Sequence, residues 1–209
     1  VNGSTVDSFD DEILDHLKLD LIEVLEAVHS IDIKNSIGFG KWDEYGVGQT
    51  QSWRERVLSA GKYLENDSEM SDIFETTFLE KDLCEKMFQR MSDLLQFCPE
   101  EKHIVHGDPG LGNTLSDGIK ITGLIDWENS LYGDFVFDIA WLSFWSRKNN
   151  VESMYLAYCE RIGKEVPNFS ERILCYKISI ALRTASFYAY SNQETKYIAL
   201  KEKIAKLLI

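Results

Sequence analysis

A short island of strand-like sequence, residues 100–127, interrupts a chain that otherwise repeats its apolar residues at helical spacing. Ile13, Leu14, Leu17, Leu21, Leu25 and Val28 recur at that spacing and predict a helix over about 10–30. Ser8 followed by Asp11 reads as a capping box at its start, after a loop over residues 1–9. Helical patterns resume from Trp53 to about Leu64 and from about Ser71 to Phe97. Pro99 ends that run, because proline cannot continue a helix and biases its predecessor towards extended geometry. They return over about 135–147, 150–162, 170–191 and 194–208. Within the island His103–Val105 predicts a strand, and Asn113–Leu115 with Lys120–Asp126 predicts a hairpin turned at Asp117-Gly118. The expected fold class is therefore α+β, predominantly α-helical, with a small β-hairpin. Trp53, Phe97, Trp141, Phe144, Leu174 and Leu182 are the expected core members.

Composition removes several classes of function. Lys and Arg total 22 against 35 Asp and Glu, a net charge of −13 at pH 7. A nucleic-acid binder needs a basic face to meet phosphates, so nucleic acid is not an expected partner, whereas cationic ligands are. Cys84, Cys98, Cys159 and Cys175 are scattered and form no zinc-ligand spacing; buried thiols in a reducing cytoplasm are expected. No apolar run approaches the ~20 residues that cross a bilayer, so no membrane partner is expected. Gly38, Gly40, Gly46 and Gly48 predict a loop over 31–50 but match no phosphate-cradle spacing. The start, Val1-Asn2-Gly3-Ser4, is neither a signal peptide nor an initiator methionine, and predicts a piece of a longer chain.

The chemistry-bearing residues lie in the island: His106-Gly107-Asp108-Pro109-Gly110-Leu111-Gly112-Asn113, then Ile125-Asp126-Trp127. Phosphoryl transfer asks for one carboxylate to orient an acceptor hydroxyl and take up its proton. It also asks for a further carboxylate and a neutral oxygen to hold magnesium on nucleotide phosphates. An Asp followed five residues later by Asn, with a hairpin returning a second Asp, supplies these groups.

This order and spacing resembles the catalytic and metal-binding loops of protein kinases, and the form HGDxxxxN followed by IDW resembles the aminoglycoside phosphotransferase family. Gly133-Asp134-Phe135-Val136-Phe137-Asp138-Ile139-Ala140 is similar to that family's GDPxxDLA segment, with Phe135 where proline is usual. Gly38-Phe39-Gly40-Lys41-Trp42, Gly46–Gln49, Ser52-Trp53-Arg54, Cys98-Pro99-Glu100 and Phe144-Trp145 are similar to its hygromycin B phosphotransferase branch.

The resemblance implies a protein-kinase-like fold of which residues 1–209 are the C-terminal lobe, the amino-terminal nucleotide lobe lying outside this chain and being required for activity. It implies ATP (or GTP) and magnesium as cofactors, with Asp108 as catalytic base and His106 bracing the catalytic loop. Asn113 and Asp126 would be the magnesium ligands, Leu115 and Ile125 would floor the adenine pocket, and Asp138 would support the loop from behind. Glu128, Trp127, Asp134 and Trp145 are the candidates for the acceptor cleft. The implied acceptor is a hydroxyl of a small cationic molecule of aminoglycoside or aminocyclitol type, in the manner of antibiotic resistance. Phosphotransferases for choline, homoserine, fructosamine or macrolides stand as alternatives, as does a catalytically silent lobe that binds a ligand or partner.

Overall fold

The structure, a computed structural model, describes residues 3–65, 72–146 and 150–209, without the side chains of Asp11 and Glu12. In chain order the strands are β1 (Ser4–Thr5), β2 (Phe39–Trp42), β3 (Gly48–Thr50), β4 (His103–Val105), β5 (Thr114–Ser116), β6 (Ile121–Leu124) and β7 (Leu131–Gly133). The α-helices are α1 (Asp11–His29), α2 (Trp53–Leu58), α3 (Ile73–Thr76), α4 (Lys81–Leu94), α5 (Val136–Trp145), α6 (Val151–Ile162), α7 (Phe169–Tyr190) and α8 (Glu194–Leu207). None of the described helices is long and apolar enough to cross a membrane.

The chain divides into two compact units, one made of Val1–Trp53 with Glu100–Phe169 and the other of Arg54–Pro99 with Ser170–Ile209. The first unit contains both sheets, with strand orders β1-β5-β6 and β3-β2-β7-β4. Helix α1 organises them. Leu17, Leu21, Ile22 and Leu25 are fully buried along its apolar stripe, and each such side chain contributes about 1.5–3 kcal/mol when removed from water. Leu14 and Leu17 pack with Val6, Phe9, Leu111 and Ile121, which fixes the β5–β6 hairpin against the helix. Asp20 accepts the Ile121 N–H and His16 Nε2 donates to the Ile119 carbonyl at 3.0 Å. At the far end of α1, the His29 carbonyl accepts from His103 Nδ1 at 2.9 Å, joining the helix to β4. Helix α5 is apolar on nearly every face, as a helix buried all round must be. Gly133, just before it, lies so close to the Trp53 indole that a Cβ would overlap the ring.

In the second unit, Cys84, Met87, Met91 and Leu94 form the buried face of α4. Tyr63 donates to the Leu182 carbonyl at 3.2 Å, the Glu80 N–H donates to Tyr197 Oη at 3.3 Å, and Cys175 Sγ donates to the Met91 carbonyl at 3.6 Å.

Several expectations need correction. Residues 1–9 are not simply a loop: β1 pairs with β5, and Val6–Ser8 makes a 3-10 turn. The helix begins after Asp10 with no side-chain cap, and Ser8 Oγ donates backwards to the Thr5 carbonyl, so Ser8 is not its cap; the Asp11 side chain lies outside the described residues. The stretch 31–50 holds the β2–β3 hairpin, whose turn is tied by Asp43 Oδ1 accepting the N–H groups of Tyr45 and Val47. β7 was not expected as a strand. The run placed over Ser71–Phe97 is broken between α3 and α4, where Thr77 is extended. Its first residue, Ser71, lies outside the described residues, as does Arg147 at the end of the run placed over 135–147. Trp53, Phe144 and Leu182 are buried as expected, whereas Phe97, Trp141 and Leu174 are only half-buried.

Candidate active site

β4 leads directly into His106-Gly107-Asp108, and this turn is held from below by a buried carboxylate. Asp138, on the first turn of α5, accepts the His106 N–H on Oδ2 at 2.9 Å and the Gly107 N–H on Oδ1 at 2.8 Å. A third donor, His29 Nε2, reaches Oδ2 at 2.9 Å. A fully buried carboxylate requires such company, since leaving its oxygens unmatched away from water costs several kcal/mol. Gly107 has φ +82°, and a Cβ there would overlap the Asn129 carbonyl, so glycine is the residue that lets the chain turn here.

His106 is itself fully buried. Its Nδ1 accepts the Asp108 N–H at 3.3 Å, which leaves the ring proton on Nε2 to donate to the Ile125 carbonyl at 3.1 Å. The hydrogen-bond pattern thus assigns the tautomer. The Trp127 ring lies 4.5 Å from this imidazole, and its indole N–H donates to the Leu124 carbonyl at 3.1 Å. His106 ties the Asp108 turn to the end of the β5–β6 hairpin.

Asp108 is half-buried, and its Oδ1 accepts the Trp141 indole N–H at 2.7 Å. Burial pushes its carboxyl above the ordinary carboxylate value; the indole hydrogen bond opposes this, and the negative charge of Asp126 adds to it.

Asn113 closes a 3-10 turn, Leu111–Asn113. Its Nδ2 donates to the Asp108 carbonyl at 3.0 Å, and its own carbonyl accepts the Ile125 N–H at 2.9 Å. Asp126 follows immediately, exposed and in the left-handed conformation at φ 60°. Among the described residues neither Asn113 Oδ1 nor the Asp126 carboxylate has a hydrogen-bond partner. Two unengaged hard oxygens, one charged, at the adjoining ends of one hairpin fit magnesium, which takes few protein ligands and keeps water or phosphate oxygens for the rest. A self-sufficient metal cage is absent: no three His, Cys, Asp or Glu side chains cluster suitably among the described residues.

The remaining candidates separate. Leu115 is half-buried in β5, and Ile125 is 40% exposed, leaving an apolar position open beside the loop. Glu128 and Trp127 are exposed, and Trp145 is half-buried with its ring 6.3 Å from Trp141. Asp134 is not a cleft residue. It is fully buried, and its Oδ1 accepts the Val136 N–H at 3.0 Å, steadying the start of α5.

Two residues were missed. His29 continues the Leu17, Leu21, Leu25 progression by one more step of four, so its place on the buried stripe was readable. Trp141 follows Asp138 by three residues, which puts both on one side of α5.

A family profile described as the phosphotransferase enzyme family (APH) matches residues 1–172. The chain is 27% identical over 163 residues to the hygromycin-B 4-O-kinase of Escherichia coli, an alignment covering 77% of this chain and 46% of that protein. It therefore spans less than half the length of that relative. Among solved structures it is similar to aminoglycoside phosphotransferase APH(4)-Ia in a ternary complex with AMP-PNP and hygromycin B, with a TM-score of 0.82, 20% identity and coverage of 99% of this chain and 68% of that one. It is also similar to macrolide 2'-phosphotransferase type I, with a TM-score of 0.65, 19% identity and coverage of 98% and 67%. These likenesses show an α+β, predominantly helical, protein-kinase-like fold, and with the profile match extending over most of its length the chain belongs to the phosphotransferase enzyme family.

Proposed function

We propose that this chain is the C-terminal, acceptor-binding lobe of an O-phosphotransferase that moves a phosphoryl group from ATP to a hydroxyl of a small cationic antibiotic, of the aminoglycoside type that hygromycin B represents. The observation that carries this reading is the convergence of Asp108, Asn113 and Asp126 on one loop–hairpin corner, backed by Asp138. A fold alone does not require that combination.

In this reading Asp108 orients the acceptor hydroxyl and takes its proton as the phosphoryl group transfers. Burial raises its proton affinity, which suits a base that must accept a proton during the reaction. Asn113 Oδ1 and the Asp126 carboxylate would hold magnesium, which would neutralise charge on the nucleotide phosphates. Asn113 also fixes the Asp108 backbone through its Nδ2, so base and metal ligands keep one register. Leu115 and Ile125 would lie under the adenine, while Glu128, Trp127 and Trp145 remain as acceptor-side candidates. The net charge of −13 favours an acceptor carrying ammonium groups. The nucleotide-covering lobe would come from outside these residues.

The test is transfer of phosphate from labelled ATP, or from GTP, to hygromycin B and a panel of aminoglycosides, macrolides and small amino alcohols by the full-length protein with magnesium. Phosphorylated hygromycin B or another aminoglycoside supports the reading. Transfer only to a macrolide or amino alcohol would replace the acceptor class. No transfer to any acceptor, with ligand binding retained, would favour a silent binding module.

A further inference from the structure

The indole N–H of Trp141 points at the Asp108 carboxylate. It donates to Asp108 Oδ1 at 2.7 Å, within the range of a charge-assisted hydrogen bond. Its ring is steadied on its own helix by Phe137 and Trp145, each at 6.3 Å between centroids. Asp138, one turn earlier on α5, clamps the His106-Gly107 backbone. A single buried helix thus grips the loop twice, at its backbone through Asp138 and at its terminal carboxylate through Trp141.

The second grip has a physical purpose. Rotation of an aspartate carboxylate about its last bond is broad and soft, so the backbone clamp alone does not set where the oxygens point. A proton acceptor contributes fully only when the accepting oxygen is already aimed at the hydroxyl.

We infer that Trp141 is a positioning residue for phosphoryl transfer: its indole N–H holds Oδ1 of Asp108 and so presents Oδ2 to the acceptor hydroxyl. The inference rests on the proposed phosphotransferase activity and adds to it a residue that acts through Asp108.

The experiment compares Trp141→Phe and Trp141→His in the full-length protein, with hygromycin B, ATP and magnesium, reading kcat and both KM values beside a thermal melt. Phenylalanine keeps an aromatic ring but has no N–H. Histidine is smaller, yet its Nε2 overlies the indole Nε1 when the five-membered rings are superposed. The expected result for Trp141→Phe is a kcat about 10- to 100-fold lower, the effect of losing a hydrogen bond to a charged group, with both KM values within about twofold of wild type. Trp141→His should recover most of the lost kcat. Unchanged kcat in Trp141→Phe overturns the inference, as does phenylalanine outperforming histidine, which is the order that ring packing alone would give. Where Trp141→Phe yields no folded protein, Trp141→His decides: kcat within about tenfold of wild type supports the inference and a larger fall overturns it. A wild-type protein that transfers no phosphate to any acceptor removes the functional reading, and this inference with it. An active wild type with normal Trp141→Phe kinetics removes the inference alone.

Discussion

The imidazole of His29 meets the carboxylate of Asp138 at 2.9 Å, with both side chains buried. One oxygen of Asp138 therefore serves the end of α1 and the N–H of His106 together. The catalytic-loop candidate is braced by a residue from a helix that carries no other part of the site.

His29→Phe should destabilise the protein by about 1–3 kcal/mol, because a buried carboxylate loses one of its donors. In a domain of this size that is a fall of roughly 2–4 °C in Tm for each kcal/mol. His29→Gln, which retains an N–H, should recover part of the loss. Calorimetric melting of the three proteins checks this, and equal Tm values for wild type and His29→Phe would show that the bond contributes nothing net.

Asp108→Asn should abolish transfer, by about 100-fold or more in kcat, while nucleotide binding persists. It should also raise Tm at neutral pH. Burial lifts the folded-state pKa of Asp108 above its unfolded value, so ionisation opposes folding, and asparagine cannot ionise. The advantage of the variant is present above the folded-state pKa and fades as pH falls through it towards the unfolded value. Melting curves across acid to neutral pH read the trend; an advantage growing towards low pH has the wrong sign and would reject it.

Asp126→Ala should weaken the dependence of nucleotide binding on magnesium and depress turnover, since the charged oxygen of the pair is lost. Asn113→Ala should act in the same direction less severely as regards the metal. Magnesium titration of nucleotide binding in the full-length protein measures both. An unchanged titration for Asp126→Ala would place the metal elsewhere.

Alkylation by iodoacetamide at pH 8 should label Cys98 in the native protein and spare Cys84, Cys159 and Cys175, which are buried. Burial pushes the Cys84 thiol up to about 11, so it has little thiolate as well as little access. Mass spectrometry of the labelled peptides, native against denatured, is the measurement; rapid native labelling of Cys84 would contradict its burial.

The sequence made four of the long helices legible to within a residue or two because burial on one face repeats every three to four positions, whereas α4 was merged with α3 into one run. α1, α6, α7 and α8 follow that rule. It did not reveal the β2–β3 hairpin. Gly38, Gly40, Gly46 and Gly48 read as breakers there, and β2 gains its partner from β7, far along the chain, through Gly40 opposite Tyr132. The site divides in the same way. Asp108, Asn113 and Asp126 were readable as a spacing, and Asp138 through the family resemblance of its segment. Spacing shows which helix face His29 and Trp141 occupy but not what they touch, because those contacts exist only once distant elements pack. Asp134, given to the cleft as a carboxylate able to meet ammonium groups, is instead buried and accepts the Val136 N–H.

The separation of His29 from Asp138, 109 residues, also orders events on the ribosome. At 5–20 residues per second, roughly 5–20 s pass between the synthesis of α1 and that of its buried partner. Until β6 has been made, the Leu14 and Leu17 part of the stripe lacks Ile121, which packs on it in the folded protein. The loop that carries Asp108 emerges before Asp138, so the candidate corner is made early and set late.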